Sequence, residues 1–319
     1  MVEKPGLILM GSSGFSAIVL QNLLEAGQRI RAVYTMPDKK AGRGMKKRES
    51  PVKILAQENS IPVFQPASFR DPGTVAELGA LKPDFLVVAA YGLLLPEAVL
   101  SIPKIAPLNI HPSLLPLYRG AAPIQRAIQE NWTPDAETGV SIMKLVRELD
   151  AGPVYAQRKM PIGRASYFAL SDALAHAGSQ LLLETLPAIQ NGLLPEPQDD
   201  TRATYATKLD RGDGRINWQD SAAQVDALIR AVNPWPGART EFGIEGSRIQ
   251  ALIREARPGE EAPGMLPGQI QAGKGGLAIA CGDKWLEIGR IQLEGRKETS
   301  GRDFVNGLRL SDQHRCFAF

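Results

Sequence analysis

The sequence predicts an α/β protein, a doubly wound Rossmann-like domain followed by a small OB-like β-barrel, on three observations. Apolar runs of strand length alternate with segments of helical period through roughly the first half of the 319 residues. A stretch at 192–207, rich in Pro, Thr and acidic residues, then breaks that pattern. Beyond it, one helical segment gives way to short, Gly-rich alternating segments, as a small barrel requires. Two domains are therefore expected, at 1–191 and 208–319 with 192–207 as the linker, and 319 residues suit two.

The elements follow in order. Gly6–Met10 is a short apolar run ending at Gly11-Ser12-Ser13-Gly14, and Phe15–Ala26 carries apolar residues at helical spacing. Ile30–Thr35 reads as a second strand that runs into a basic loop. Residues 84–91 form a continuous apolar run stopped by Gly92, as expected of a strand buried on both faces. Leu108–His111 is a further short strand, followed by a loop and a helix-like segment at 121–130. Thr138–Val146 and Pro153–Ile162 read as strands and 170–190 as a long amphipathic helix. Strand–helix alternation at this spacing predicts a parallel sheet. In the second half, Ala222–Val232 is helical, Asn233-Pro234-Trp235-Pro236-Gly237 is turn-rich, and barrel segments follow.

Composition narrows the function classes. A formal net charge of +3 provides no global field, so contact with a nucleic acid must come from a local patch. Cys281 and Cys316 are far apart and outside any CxxC, which reads as two reduced thiols, with neither a disulfide framework nor a metal site. The N-terminus lacks the basic flank and apolar length of a signal peptide, and no run reaches a membrane span of ~20 residues. A cytoplasmic protein without a metal, and a monomer, is the expectation. The first Gly-rich turn has Gly11 and Gly14 but lacks the middle glycine of a dinucleotide fingerprint, so it reads as a plain tight turn.

The informative segment runs from Asn109 to Gly120 (NIHPSLLPLYRG). Asn109 and His111 are two apart in a strand, so both side chains point to one face. Pro112 and Pro116 then take the chain out of the sheet into a stiff loop, at the carboxyl end of a strand, where open α/β sheets place their sites. An amide that donates a hydrogen bond beside an imidazole that shuttles a proton suits acyl transfer to an amine. A lone Asn or His near a strand end is more often structural. Of three histidines, however, His176 lies in the long helix and His314 in the tail, and only His111 has a site-like setting.

These residues resemble a known family. The string 109–125, with SLLP at 113–116 and RGAAPIQ at 119–125, is similar to the methionyl-tRNA formyltransferase family, and other segments agree along nearly the whole chain. Leu149-Asp150-Ala151-Gly152 resembles the family's LDxG loop, which implies that Asp150 is the third catalytic residue beside Asn109 and His111; alone, an Asp there would read as a turn residue. The resemblance places 10-formyltetrahydrofolate, as co-substrate, along Ser113, Leu114, Leu115 and Pro116 and along Tyr91-Gly92. Ala41-Gly42-Arg43-Gly44 with Ser50-Pro51-Val52-Lys53 resembles the family's tRNA-contacting loop, which implies contacts from Arg43, Lys46 and Lys47 to methionyl initiator tRNA. Asn233-Pro234-Trp235-Pro236 resembles a signature of the family's C-terminal domain, expected here at 208–319 as a tRNA-binding β-barrel. The turn Gly11-Ser12-Ser13-Gly14-Phe15 departs from the family's usual GTP-x-F.

The loop 38–53 holds seven basic and two acidic residues and is expected to be mobile in the free protein, whereas 210–319 carry 15 of each sign. Charge runs are usually solvated faces, but a loop after a strand lies on the active-site edge, so phosphate contact is the functional reading. Three rivals stand beside this one. A sugar-nucleotide formyltransferase shares the N-x-H…D core, against which the basic AGRG loop and the AAPIQ string argue. An NAD-dependent oxidoreductase is opposed by the incomplete glycine motif. A non-catalytic RNA-binding module would require one of the three core residues to be missing.

Overall fold

The computed structural model describes residues 4–41, 46–244, 247–273, 275–308 and 315–317. In chain order the elements are β1 (Gly6–Gly11), α1 (Gly14–Glu25), β2 (Arg29–Tyr34), β3 (Lys39–Ala41), β4 (Lys46–Arg48), α2 (Pro51–Glu58), β5 (Val63–Phe64), α3 (Pro72–Ala80), β6 (Phe85–Ala89), α4 (Glu97–Leu100) and β7 (Ala106–His111). They continue with β8 (Arg119–Gly120), α5 (Pro123–Glu130), β9 (Glu137–Lys144), β10 (Val154–Pro161), α6 (Tyr167–Gln190) and β11 (Tyr205–Ala206). The remainder is α7 (Ala222–Val232), β12 (Ala238–Ile244), β13 (Ser247–Glu261), β14 (Ile270–Gly273), β15 (Gly276–Ala280), β16 (Lys284–Leu293), β17 (Thr299–Ser300), α8 (Gly301–Leu308) and β18 (Arg315–Phe317).

The chain forms two compact units, and neither is continuous in sequence. The first comprises Met1–Pro123, Thr138–Met160 and Leu170–Ala206, and the second Ile124–Glu137, Pro161–Ala169 and Thr207–Phe319. The first is built on a seven-stranded sheet in the order β10-β9-β7-β6-β1-β2-β5. β5, β2, β1, β6 and β7 run parallel. Every residue of β1 and β7 is buried, which is why these strands read as unbroken apolar runs. The expectation of a parallel sheet needs correcting at one edge: β9 pairs antiparallel to β7, so the sheet is mixed. A strand buried on both faces carries no direction in its composition, so the sequence could not distinguish the two arrangements. The second unit is an antiparallel sheet in the order β14-β15-β16-β13-β12-β18, with β17 on β16 and α7 and α8 packed on it.

Switching from strand to helix at the first turn needs no phosphate. Ser13 caps α1 in a reciprocal capping box with Ser16, and the Ser16 hydroxyl donates to the Ala89 carbonyl of β6. Ser12 Oγ accepts from Thr35 Oγ1 and from the Met36 N–H and donates to the Tyr91 carbonyl. One serine thus ties together the carboxyl ends of three neighbouring strands, at the edge where the site lies.

Candidate active site

The carboxyl end of β7 carries Asn109 and His111 on one side, as strand alternation requires, and both reach the same oxygen of Asp150. Asn109 Nδ2 lies 3.4 Å and His111 Nδ1 3.7 Å from Asp150 Oδ1. Asp150 Oδ2 accepts the Gly120 N–H at 2.9 Å. His111 Nε2 donates to the Tyr118 carbonyl at 3.0 Å, which fixes the ring plane. All three side chains are buried: Asn109 is 9%, His111 3% and Asp150 7% exposed. The carboxylate is therefore removed from water with only long contacts on one oxygen, an arrangement that burial makes costly.

Backbone strain marks the same place. Tyr118 and Asp150 have φ of 60° and 52°, a left-handed conformation that non-glycine residues rarely adopt. Gly152 is required by close approach, because a Cβ there would collide with the Lys144 carbonyl. Gly120, at φ 121°, lies against the Ala206 carbonyl in the same way.

The loop 113–116 is held by its own main chain. Ser113 N–H donates to the His111 carbonyl, and the Ser113 hydroxyl to the Leu117 carbonyl. Ser141 of β9 donates to the Ser113 carbonyl and accepts the Leu115 N–H. Gln157 of β10 donates to the Leu115 carbonyl and to Ser141 Oγ. Leu115 is buried, and a Cβ on Gly139 would strike the Leu114 side chain. Ser113, Leu114, Leu115 and Pro116 are thus a stiff wall beside His111. Tyr91 is placed differently: its ring belongs to a core cluster with Tyr34 and Phe69, and burial raises the pKa of its phenol. Gly92, at φ 88°, turns the chain outward after it.

Four residues of this site escaped the sequence reading. Ser141 and Gln157 are unremarkable strand residues. Gln198 and Thr204 lie in the stretch that reads as a linker, yet that stretch is bonded to the site. Thr204 Oγ1 accepts the Tyr118 N–H, its carbonyl accepts the Arg119 N–H, and β11 pairs in parallel with β8. No compositional signal distinguishes such a brace from a spacer.

The basic loop is partly a hairpin, since β3 and β4 pair antiparallel. Arg43 and the side chains of Lys46 and Lys47 lie outside the described residues. Lys53 differs from the sequence picture of seven solvated cations. It is 8% exposed, and its ammonium pairs with Asp38 at 2.6 Å and Glu49 at 2.7 Å. These bonds, Asp38 first, hold its pKa above the usual lysine range.

Known proteins are similar to this chain over most of its length. A family model described as Formyl transferase matches residues 7–186, and one described as Formyl transferase, C-terminal domain, matches 208–309. The chain is 47% identical over 309 residues to the Methionyl-tRNA formyltransferase of Desulfovibrio desulfuricans, covering 94% of this chain and 92% of that one. Among solved structures, HypX from Aquifex aeolicus in complex with tetrahydrofolic acid superposes with a TM-score of 0.65 at 20% identity, over 95% of this chain and 47% of that one. The N-formyltransferase from Helicobacter canadensis, in complex with folinic acid and dTDP-3-aminofucose, gives a TM-score of 0.65 at 17% identity, over 90% and 99%. At these identities the two structures share the fold alone.

Proposed function

Because the chain belongs to the methionyl-tRNA formyltransferase family, we propose that it moves the formyl group of 10-formyltetrahydrofolate onto the α-amino group of methionyl initiator tRNA, with Asn109, His111 and Asp150 as its catalytic groups. The observation that carries the residue assignment is the convergence of an amide, an imidazole and a buried carboxylate at the end of one strand. The folate carrier, when bound, supplies the activated formyl carbon. The residues do the rest. Asn109 has a second amide N–H beyond the one near Asp150, and it donates to the formyl oxygen as negative charge develops there. The α-ammonium gives up one proton to solvent before it attacks, and Asp150 and His111 accept the second, which the amine nitrogen sheds as the C–N bond forms. Tyr118 and Gly120 keep the ring and the carboxylate from turning away. As the new C–N bond forms, the bond to the carrier nitrogen breaks, and that nitrogen ends with the proton.

The wall 113–116 supports the placement of the carrier as a shape, not as a row of free donors, because most of its main-chain groups are already bonded. From 91–92 the chain offers its main chain at Gly92, since the Tyr91 ring is in the core. Arg43, Lys46 and Lys47 meet the tRNA, Lys53 secures the base of the β3–β4 pairing, and residues 208–319 add a second tRNA-binding surface. Formylation of methionyl-tRNA by labelled 10-formyltetrahydrofolate tests the reading, with an amino-sugar nucleotide in parallel. Transfer to the sugar alone would overturn it.

A further inference from the structure

Gln198 joins the two loops that hold the catalytic groups. Its Nε2 donates to the carbonyls of Asp150 at 2.8 Å and Gly152 at 2.7 Å, on either side of Ala151. Its Oε1 accepts from Arg119 Nε at 3.0 Å and Nη2 at 2.8 Å. Arg119 is 4% exposed and immediately precedes Gly120, whose N–H holds Asp150 Oδ2. It also immediately follows Tyr118, whose carbonyl holds His111. The segment bearing Gln198 is anchored independently, through the paired N–H and carbonyl groups of Glu196 and Val154.

We propose that Gln198 is a positioning residue for formyl transfer, acting through the Asp150 turn and the Arg119 loop; the inference rests on the catalytic reading of Asp150 and His111. The Asp150 conformation is unfavourable for a non-glycine residue and persists only where its surroundings over-determine it. Gly152 provides the room that turn needs, and Gln198 provides the restraint, by collecting two carbonyls that a tight turn would otherwise leave splayed. Only a primary amide does this. It presents two donors to the carbonyls and one acceptor to a guanidinium, and the bidentate Arg119 contact strengthens the donors by polarisation. Glutamate would keep the Arg119 contact but set a carboxylate oxygen against two carbonyl oxygens. A shift of about 1 Å at a reacting group costs roughly 100-fold in rate, so a brace of this kind is expected to affect turnover more than binding.

The test uses the full-length enzyme with four variants, Gln198→Leu, Gln198→Glu, Asp150→Asn and Gln198→Leu with Asp150→Asn, and measures formylation kinetics and thermal unfolding. Each Gln198 single variant should lose about 10- to 100-fold in kcat, with KM for either substrate within about threefold. In the Asp150→Asn background the same leucine should cost less than about threefold more, because the restraint has nothing left to position. A merely structural glutamine would lower kcat equally in both backgrounds, and that result overturns the proposal. So does turnover within about threefold of wild type in both Gln198 single variants. If the leucine variants unfold, Arg119→Lys with and without Asp150→Asn replaces them, and additivity there overturns the proposal equally. Near-normal turnover in Asp150→Asn alone would instead overturn the catalytic reading of the carboxylate.

Discussion

Asp150 and Asp226 are both carboxylates almost without exposure, at 7% and 2%, yet they are treated in opposite ways. Asp226, on α7 in the second unit, is saturated with positive charge: Arg230 Nε lies 2.8 Å from one oxygen and Arg164 Nη2 3.0 Å from the other. Arg230 also donates to the Ala165 carbonyl, and Arg164 to that of Ala256, so the carboxylate joins three pieces of chain. Asp150 in the first unit has one good hydrogen bond, from a backbone N–H, and two long contacts, one to a neutral amide and one to an imidazole that can take up or release a proton. On the proposed catalytic reading of Asp150, the difference separates structure from chemistry. A buried charge with fixed cationic partners keeps one state and holds the fold. A buried charge left among an amide and an imidazole can change partners, which is what proton transfer demands.

The sharpest way to break this comparison is to neutralise each carboxylate in turn. Asp150→Asn should lower turnover by roughly 100- to 1,000-fold while thermal stability is kept. His111→Ala and Asn109→Ala should fall in a similar range. Asp226→Asn should do the reverse: it strands two arginines, one of them only 12% exposed, and should cost about 3 kcal/mol of stability with near-normal turnover at low temperature. Steady-state formylation and chemical denaturation on the same preparations distinguish the two. A strong loss of turnover in folded Asp226→Asn, or of stability in Asp150→Asn, would show that burial and pairing do not sort the two roles.

How much of this was legible in the sequence depended on the kind of information. Asn109 and His111 were legible because strand alternation is local and fixes a face. Asp150 was legible only through the resemblance of its loop, since its meaning depends on contacts 41 and 39 residues away in the chain. Gln198 and Thr204 were not legible, because their backbone partners leave no mark in composition. The direction of β9 was hidden for a related reason: apolar content reports burial and is indifferent to the sense of a strand. Lys53 looked like one more solvated cation until Asp38 and Glu49 were seen beside it.

Lys53 extends the comparison to a cation. It resembles Asp226 in being buried and doubly paired, so it should act as a fastening for the hairpin and not as a contact to tRNA. Lys53→Met should raise the KM for methionyl-tRNA about three- to tenfold, equivalent to about 1 kcal/mol, with kcat falling less. Its salt dependence should match that of wild type, since no phosphate contact is lost. Replacing Lys46 and Lys47 should instead lower the slope of log K against log salt by about one per lost contact. A reduced slope in Lys53→Met would place that ammonium on the tRNA.

Cys281 gives the smallest effect and the most direct limit on the comparison, because it is buried and ionisable and has no cationic partner among the described residues. It is 3% exposed, and burial, with smaller contributions from Asp283 and Asp220, pushes its thiol up to about 12. The thiol avoids the Asp150 situation by remaining neutral, so it needs no partner and should carry no chemistry. Its sign of linkage follows. The folded pKa is raised, so the contribution to stability is complete below the unfolded value near 9 and is lost as pH climbs towards the folded value. Between those limits the unfolded chain releases a proton that the folded chain retains. At pH 10 the wild type should therefore have lost about 1 kcal/mol relative to a Cys281→Ala variant compared with their difference at pH 7. Urea denaturation of both proteins at the two pH values measures this, and alkylation of Cys281 in the native state should be negligible at pH 8. Ready alkylation there, or a difference independent of pH, would mean that the thiol ionises in the folded protein, and burial without a cation would no longer identify Asp150 as exceptional.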